Sequence, residues 1–118
     1  MRLALKKYIL ISNKQIQEVT EIIIEEIQPD KVLLFGSYAA GVPNEHSDID
    51  MIVVVNKKLD KKNRIDALVN LNLKTTLPHL LFPKDIKMYS VHEYDELKQN
   101  RQSFLYSVLK NSKTLYER

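Results

Sequence analysis

Gly36-Ser37, ten intervening residues and then Asp48-Ile49-Asp50 are the residues of this chain best equipped for chemistry. Its only two glycines, Gly36 and Gly41, both fall in this stretch. The most permissive backbone positions are thus reserved for one loop, which must turn sharply or let something approach closely. Asp48 and Asp50 lead into the apolar run Met51 to Val55, which reads as a strand. Alternate residues of a strand share a face, so the two carboxylates point the same way while Ile49 points into the core. At about 6 Å and an effective dielectric of ~20, two such charges repel by roughly 2–3 kcal/mol. A compensating cation is therefore expected. Mg²⁺ suits the position, because it takes oxygen ligands and is usually held by one or two carboxylates plus substrate phosphates.

Taken alone, the pair reads equally as two solvated strand-end aspartates, or Asp48 as a turn residue beside Ser47. Gly36-Ser37 changes the balance. Coming off a strand, it opens a short helical turn, Ser37 to Ala40, closed by Gly41. Unpaired amides at such a start, with the Ser37 hydroxyl, offer hydrogen bonds to an anion. A tight turn at Gly36 and a simple N-cap at Ser37 would explain those two residues only. A phosphate cradle facing a metal site explains all four, and the implied chemistry is the handling of a nucleotide.

The elements that must position these residues are legible in outline. Ser12 and Gln15 have capping-box spacing and start a helix whose apolar face carries Ile16, Val19, Ile23 and Ile27, broadened by Ile22 and Ile24. Pro29 and Asp30 end it. Lys31 to Phe35 is a short strand, apolar on both faces and so central. The second strand runs from about Ile49 to Val55, and a polar connection rich in lysine follows. A helix over Lys61 to Thr76 is expected to bury Ile65, Leu68, Val69 and Leu73 on one face. Leu80, Leu81 and Phe82 read as an apolar connector, and Asp85 to Ser90 as a third strand. Ser90 and Glu93 repeat the capping-box spacing before a helical segment near Glu93 to Lys98. A last helix is expected at about Arg101 to Lys110, and KTLYER could add an edge strand. Residues 1–10 could form a short helix or strand packing onto the domain. The order gives one α/β (α+β) domain over residues 1–118, with a small mixed sheet flanked by helices.

Composition narrows the classes. The formal net charge is +3, from 18 basic and 15 acidic residues mixed along the chain, so no basic arm marks direct nucleic-acid binding. With no cysteine, disulfides and thiolate metal sites are excluded. No apolar stretch approaches the roughly 18 residues that span a bilayer, and no signal-peptide pattern opens the chain. A soluble cytoplasmic protein without a membrane partner is expected. His46, His79 and His92 lack metal-ligand spacing. Tyr38 could stack on a base or cover the sheet end.

The stretch from Gly36-Ser37 to Asp48-Ile49-Asp50 resembles the defining motif of the DNA polymerase β-like nucleotidyltransferase superfamily. It is most similar to the minimal nucleotidyltransferase (MNT) group, of the antitoxin type. The similarity runs from the helix before Lys31, through Asp85, to the terminal KNSKTLYER. It implies a polymerase β-like fold and a two-metal transfer. Asp48, Asp50 and Asp85 would be the catalytic and metal-binding residues for two Mg²⁺ ions, with Asp85 also serving the attacking hydroxyl. Gly36 and Ser37 would bind the triphosphate of ATP. Metals in such a site lower the hydroxyl pKa, align attack on the α-phosphorus and offset charge on the departing pyrophosphate. One departure stands out: Ala40 occupies a position where many minimal members carry arginine. Lys74, Lys84 and Lys87 are the candidates to replace it.

The resemblance leaves the acceptor to be found. The catalytic fold takes up all 118 residues, so the acceptor platform is expected from another subunit. A toxin–antitoxin pair is implied, in which the chain transfers AMP to a tyrosine of a small helical HEPN-type ribonuclease toxin, caps that toxin, or does both. A small-molecule transferase of the aminoglycoside type, completed by a helical subunit or a homo-oligomer, is the second reading. A non-catalytic binding antitoxin with a residual nucleotide site is the third.

Overall fold

The computed structural model describes residues 10–76 and 82–118. The expectations for Leu3, Leu5, Tyr8 and Ile9, and for Leu77 to Leu81, lie outside these. Helix α1 (Asn13–Ile27) is capped as the sequence requires: the Gln15 amide donates to Ser12 Oγ at 3.1 Å, and the Ser12 amide donates to Gln15 Oε1 at 2.9 Å. It stops one residue before Pro29, where Gln28 takes the left-handed conformation at φ 53° and its amide bonds back to the Ile24 carbonyl.

Strands β1 (Lys31–Phe35), β2 (Ile49–Val55), β3 (Lys84–Ser90) and β4 (Lys113–Glu117) form one sheet in the order β3-β2-β1-β4. β1 pairs antiparallel with β2 and with β4, and β2 pairs parallel with β3. Parallel neighbours need a long crossover, and helix α3 (Lys61–Thr76) supplies it. A single helical turn, α2 (Ser37–Ala40), links β1 to the loop before β2. Helices α4 (Val91–Leu97) and α5 (Phe104–Leu109) follow β3. The expected central β1, the mixed sheet and the edge strand β4 are all present. The last helix is shorter than expected, because Ser103 rather than Arg101 starts it: the Tyr106 amide donates to Ser103 Oγ at 3.1 Å.

The strands divide their residues between two apolar clusters. Val32, Leu34, Ile49, Met51, Val53, Val55, Ile86 and Met88 pack with Ile16, Val19 and Ile23 of α1 and Leu71 of α3. Leu33, Phe35, Ile52 and Val54 pack with Tyr94 of α4 and Leu105 of α5 on the opposite face. Helix α3 corrects the sequence reading. Ile65, Val69 and Leu73 are exposed, Val69 by 62%, whereas Leu71 and Thr75 are fully buried and Ala67 and Leu68 pack beside them. The helix carries two apolar stripes on different faces, and tertiary packing, not periodicity, selects the one that meets the sheet. Asp60 fixes its start: the Asn63 amide donates to Asp60 Oδ1 and the Asp60 amide to Asn63 Oδ1, both at 2.8 Å.

Arg64 pins α3 to the far end of β3. Its guanidinium donates to both Glu93 oxygens at 2.9 and 2.6 Å and to the Met88 carbonyl at 2.8 Å. Glu93 also accepts the Ser90 amide at 2.8 Å, closing the α4 capping box. These bonds, with the Arg64 pair first among them, pull the Glu93 carboxyl down to about 2.

Candidate active site

Three chain segments meet at one end of the sheet: the end of β1 and the starts of β2 and β3. In the register, Phe35 lies opposite Asp50 and Asp50 lies beside Asp85. The segments come together because β1 runs into this end while β2 and β3 run out of it. Asp85 and Lys87 alternate with the buried Ile86 and Met88, so they share the α4–α5 face with Asp50. Asp48 precedes β2 and is exposed; Asp50 is half-buried.

Gly36 is needed on two grounds. Its φ of 76° with ψ −158° is a conformation open essentially to glycine alone. A Cβ there would also collide with Asp50 Oδ2 and lie 3.2 Å from its Cγ. Backbone and carboxylate are therefore in direct contact at the base of the site. Ser37 starts the α2 turn, and Gly41 at φ 79° closes it with its amide bonded to the Ser37 carbonyl. The first amides of such a turn have no partner within it. Beyond the turn, Asn44 and Ser47 brace the loop: the Asn44 amide donates to Ser47 Oγ at 2.9 Å, and the His46 amide to Asn44 Oδ1 at 2.8 Å.

Negative charge accumulates at Asp50. Burial first, then the charges of Asp85 and Asp48, push the Asp50 carboxyl above its ordinary value, and Lys87 pulls it partly back. The charges of Asp85 and Asp48 thus both act on the Asp50 carboxyl. Among the described residues no three acidic or imidazole groups close around one ion position. The donor set still suits Mg²⁺, which keeps several waters and typically takes only one or two carboxylates, leaving other positions for phosphate oxygens.

Beside the turn, a cavity of about 440 Å³ is lined by Phe35, Gly36, Ser37, Ala40, Ser107, Val108 and Asn111. Ser107 and Asn111 are pocket residues that sequence reasoning missed. They lie some 70 residues from the turn, and nothing local to them signals the contact. Tyr38, by contrast, belongs to the other face: its hydroxyl accepts the Ile11 amide at 3.0 Å and its ring packs on the α1 cluster. It covers the sheet end, and base stacking by it is excluded from this pocket. Of the three candidate lysines, Lys87 is the one at the carboxylates, 3.5 Å from Asp85 Oδ2. Lys84 donates to the Phe82 carbonyl at 2.9 Å with its ammonium over that ring. Lys74 lies in the last turn of α3 and is exposed. His46 is solvated and pairs with Glu45, and His92 pairs with Glu96.

A mixed sheet with a Gly-Ser turn and carboxylates gathered at one end places the chain among nucleotidyltransferase folds. Residues 17–118 match the family described as polymerase beta, nucleotidyltransferase, and the chain belongs to that family. It is a nucleotidyltransferase. A Methanocaldococcus jannaschii protein, provisionally named a protein adenylyltransferase, is 31% identical over 71 residues, 56% of this chain and 72% of the relative. A crystal structure from Sulfolobus solfataricus, provisionally assigned as a nucleotidyltransferase, superposes with a TM-score of 0.60 at 20% identity, covering 89% of this chain and 79% of that one. An MNT antitoxin in complex with a tri-AMPylated HEPN toxin, from Shewanella oneidensis, gives 0.51 at 18% identity, covering 89% and 71%. At these identities the two structures are similar in fold.

Proposed function

We propose that this chain transfers AMP from ATP to a hydroxyl of a partner protein in a Mg²⁺-dependent reaction, as the antitoxin of a HEPN/MNT-type pair. The observation that carries the reading is the register that sets Asp50 beside Asp85, with the charge of Asp48 also acting on Asp50, against a glycine turn whose backbone touches Asp50. The relative named for protein adenylyl transfer and the neighbour bound to a tri-AMPylated toxin support protein as the acceptor class.

In this reading Asp48 and Asp50 hold Mg²⁺, with Asp85 completing the donor set. Bound there, the metal supplies charge neutralisation at the phosphates and a more acidic acceptor hydroxyl. Gly36 brings the chain backbone close to the triphosphate, and Ser37 donates its hydroxyl and amide to phosphate oxygens. The acceptor oxygen bonds to the α-phosphorus as the bond from that phosphorus to the bridging oxygen breaks. Pyrophosphate leaves with that electron pair, and Asp85 takes the hydroxyl proton. The cavity beside Ser107 and Asn111 gives the nucleotide room next to the turn.

The test is intact-mass spectrometry of the cognate helical partner after incubation with this chain, ATP and Mg²⁺. Each transfer adds the mass of AMP less water, about 329 Da, with one pyrophosphate released. A partner that is bound and silenced without any mass increase would replace this reading with a binding antitoxin. Adenylylation of a free small molecule would replace it with the resistance-enzyme type.

A further inference from the structure

The acidic end of the sheet has a cation of its own. Lys87 stands two residues along β3 from Asp85, and its ammonium lies 3.5 Å from Asp85 Oδ2. The same ammonium sits over the Phe104 ring, 5.3 Å from its centre. Phe104 meets Phe35 edge-on, with ring centres 5.5 Å apart, and Phe35 is the residue before the Gly36 turn. Lys87 is therefore held beside the acidic cluster and directed toward the aromatic wall that leads to the 440 Å³ cavity. The residues lining that cavity include no charged side chain. A triphosphate lodged there would find hydroxyl, amide and backbone donors but no cation of the lining. Lys87 can supply one, because its four-carbon stem leaves from the same face and its side chain is 37% exposed.

We propose that Lys87 is an exchangeable counter-cation of this site: it neutralises Asp85 while the carboxylates lack a metal, and turns to the phosphates of a nucleoside triphosphate once they hold one. The inference rests on the metal and nucleotide reading above. An ammonium and a divalent cation compete for the same carboxylate. A half-exposed ion pair is worth only about 0–1 kcal/mol, so it can be given up readily. The Phe104 ring keeps the released ammonium near the site, since a cation over an aromatic face is attracted to it.

Calorimetric titrations of the wild type, Lys87→Met and Lys87→Arg test it, first with Mg²⁺ alone and then with ATP at saturating Mg²⁺. Lys87→Met is expected to bind Mg²⁺ roughly two- to fivefold more tightly, having lost a competitor. It should bind ATP about tenfold more weakly, having lost one charged hydrogen bond. Lys87→Arg should stay close to wild type in both. Effects of opposite sign are the signature, because a packing role for Lys87 would not produce them. If Lys87→Met matches wild type in both titrations, or weakens both together, the proposal is overturned while the nucleotide reading stands. If wild type itself binds neither Mg²⁺ nor ATP, the nucleotide reading falls and takes this one with it.

Discussion

The two faces of the sheet are built from alternate residues of the same strands and put to different uses. Toward α1 and α3, every inward residue of β2 is apolar and fully buried, from Ile49 through Met51 and Val53 to Val55. Toward α4 and α5, Ile52 and Val54 are equally buried, but the strand begins with Asp50 and the neighbouring β3 presents Asp85, Lys87 and Tyr89. The first face is a dry core that fixes the register. A slip of one residue would turn the carboxylates inward and the core outward, so the same packing that stabilises the fold also aims Asp50. The second face is covered by two short helices, and its cover stops short of the strand ends. The dry core lies on one face, and the carboxylates lie at the edge of the other.

That division predicts opposite outcomes for mutations on the two faces. The largest effect is expected from Asp50→Asn. Transfer should fall by more than the ~10²-fold that removal of an outer-shell partner of a metal ligand typically costs. Yet the metal-free protein should melt higher. Its carboxyl is raised in the fold above the ordinary 3.8, so the charged form is disfavoured there, and the stability of the protonated form is lost as pH rises through that raised value. At neutral pH, Asn removes the penalty, and the gain in melting temperature should vanish near pH 3. A lower melting temperature at neutral pH would mean that Asp50 is a structural residue.

On the core face, Leu71→Ala should cost about 2–5 kcal/mol in denaturant unfolding without changing metal or nucleotide affinity of the folded fraction. Two residues earlier on the same helix, Val69→Ser should change stability by less than about 0.5 kcal/mol. Equal costs would contradict the assignment of the buried stripe. Between these lies Gly36→Ala, where a strained φ should cost about 1–3 kcal/mol. Because the added methyl meets Asp50, Mg²⁺-dependent ATP binding should weaken as well. Stability loss with unaltered ATP binding would separate the turn from the site.

The smallest effect concerns Arg64 and Glu93, which join α3 to the α4 side. Glu93 has its carboxyl lowered from 4.5 to about 2, so its contribution is present above the unfolded value and is lost as pH falls toward about 2. Glu93→Gln should therefore be less stable by about 1 kcal/mol at pH 7. The gap in melting temperature should close as pH falls from 4.5 toward 2. A gap independent of pH would assign the effect to the capping geometry alone.

Local signals made much of this legible. Ser12 with Gln15 and Ser90 with Glu93 specify their own caps, since the partners lie three residues apart. The alternation around Asp48 and Asp50, and the reservation of both glycines for one loop, mark the candidate site because backbone geometry places them within a dozen residues. What was not legible depends on long-range packing. The face of α3 that meets the sheet is not the expected one, because Ile65, Val69 and Leu73 offer as good a helical period as Leu68, Leu71 and Thr75, and only packing on the sheet selects between them. The place of Tyr38 depends on the Ile11 amide, 27 residues away, which donates to its hydroxyl. Arg64 reaches Glu93 across 29 residues, and Ser107 and Asn111 enter the pocket only because α5 returns beside β1. The nearness of Lys87 to the carboxylates depends on the pairing of β2 with β3, which sets Asp50 beside Asp85.

We propose that the carboxylates at the edge of the α4–α5 face and the Gly36-Ser37 turn form one metal-dependent nucleotide site. Thermal unfolding with ATP, in Mg²⁺ and in EDTA, tests it most directly when wild type is compared with the Asp48→Asn/Asp50→Asn double variant. A ligand at 100 times its Kd stabilises by about 2.7 kcal/mol, which is roughly ten degrees for a chain of this size. Wild type should show that shift with Mg²⁺ and little of it in EDTA, and the double variant should show little in either. An equal ATP shift in both proteins, indifferent to Mg²⁺, would contradict the claim.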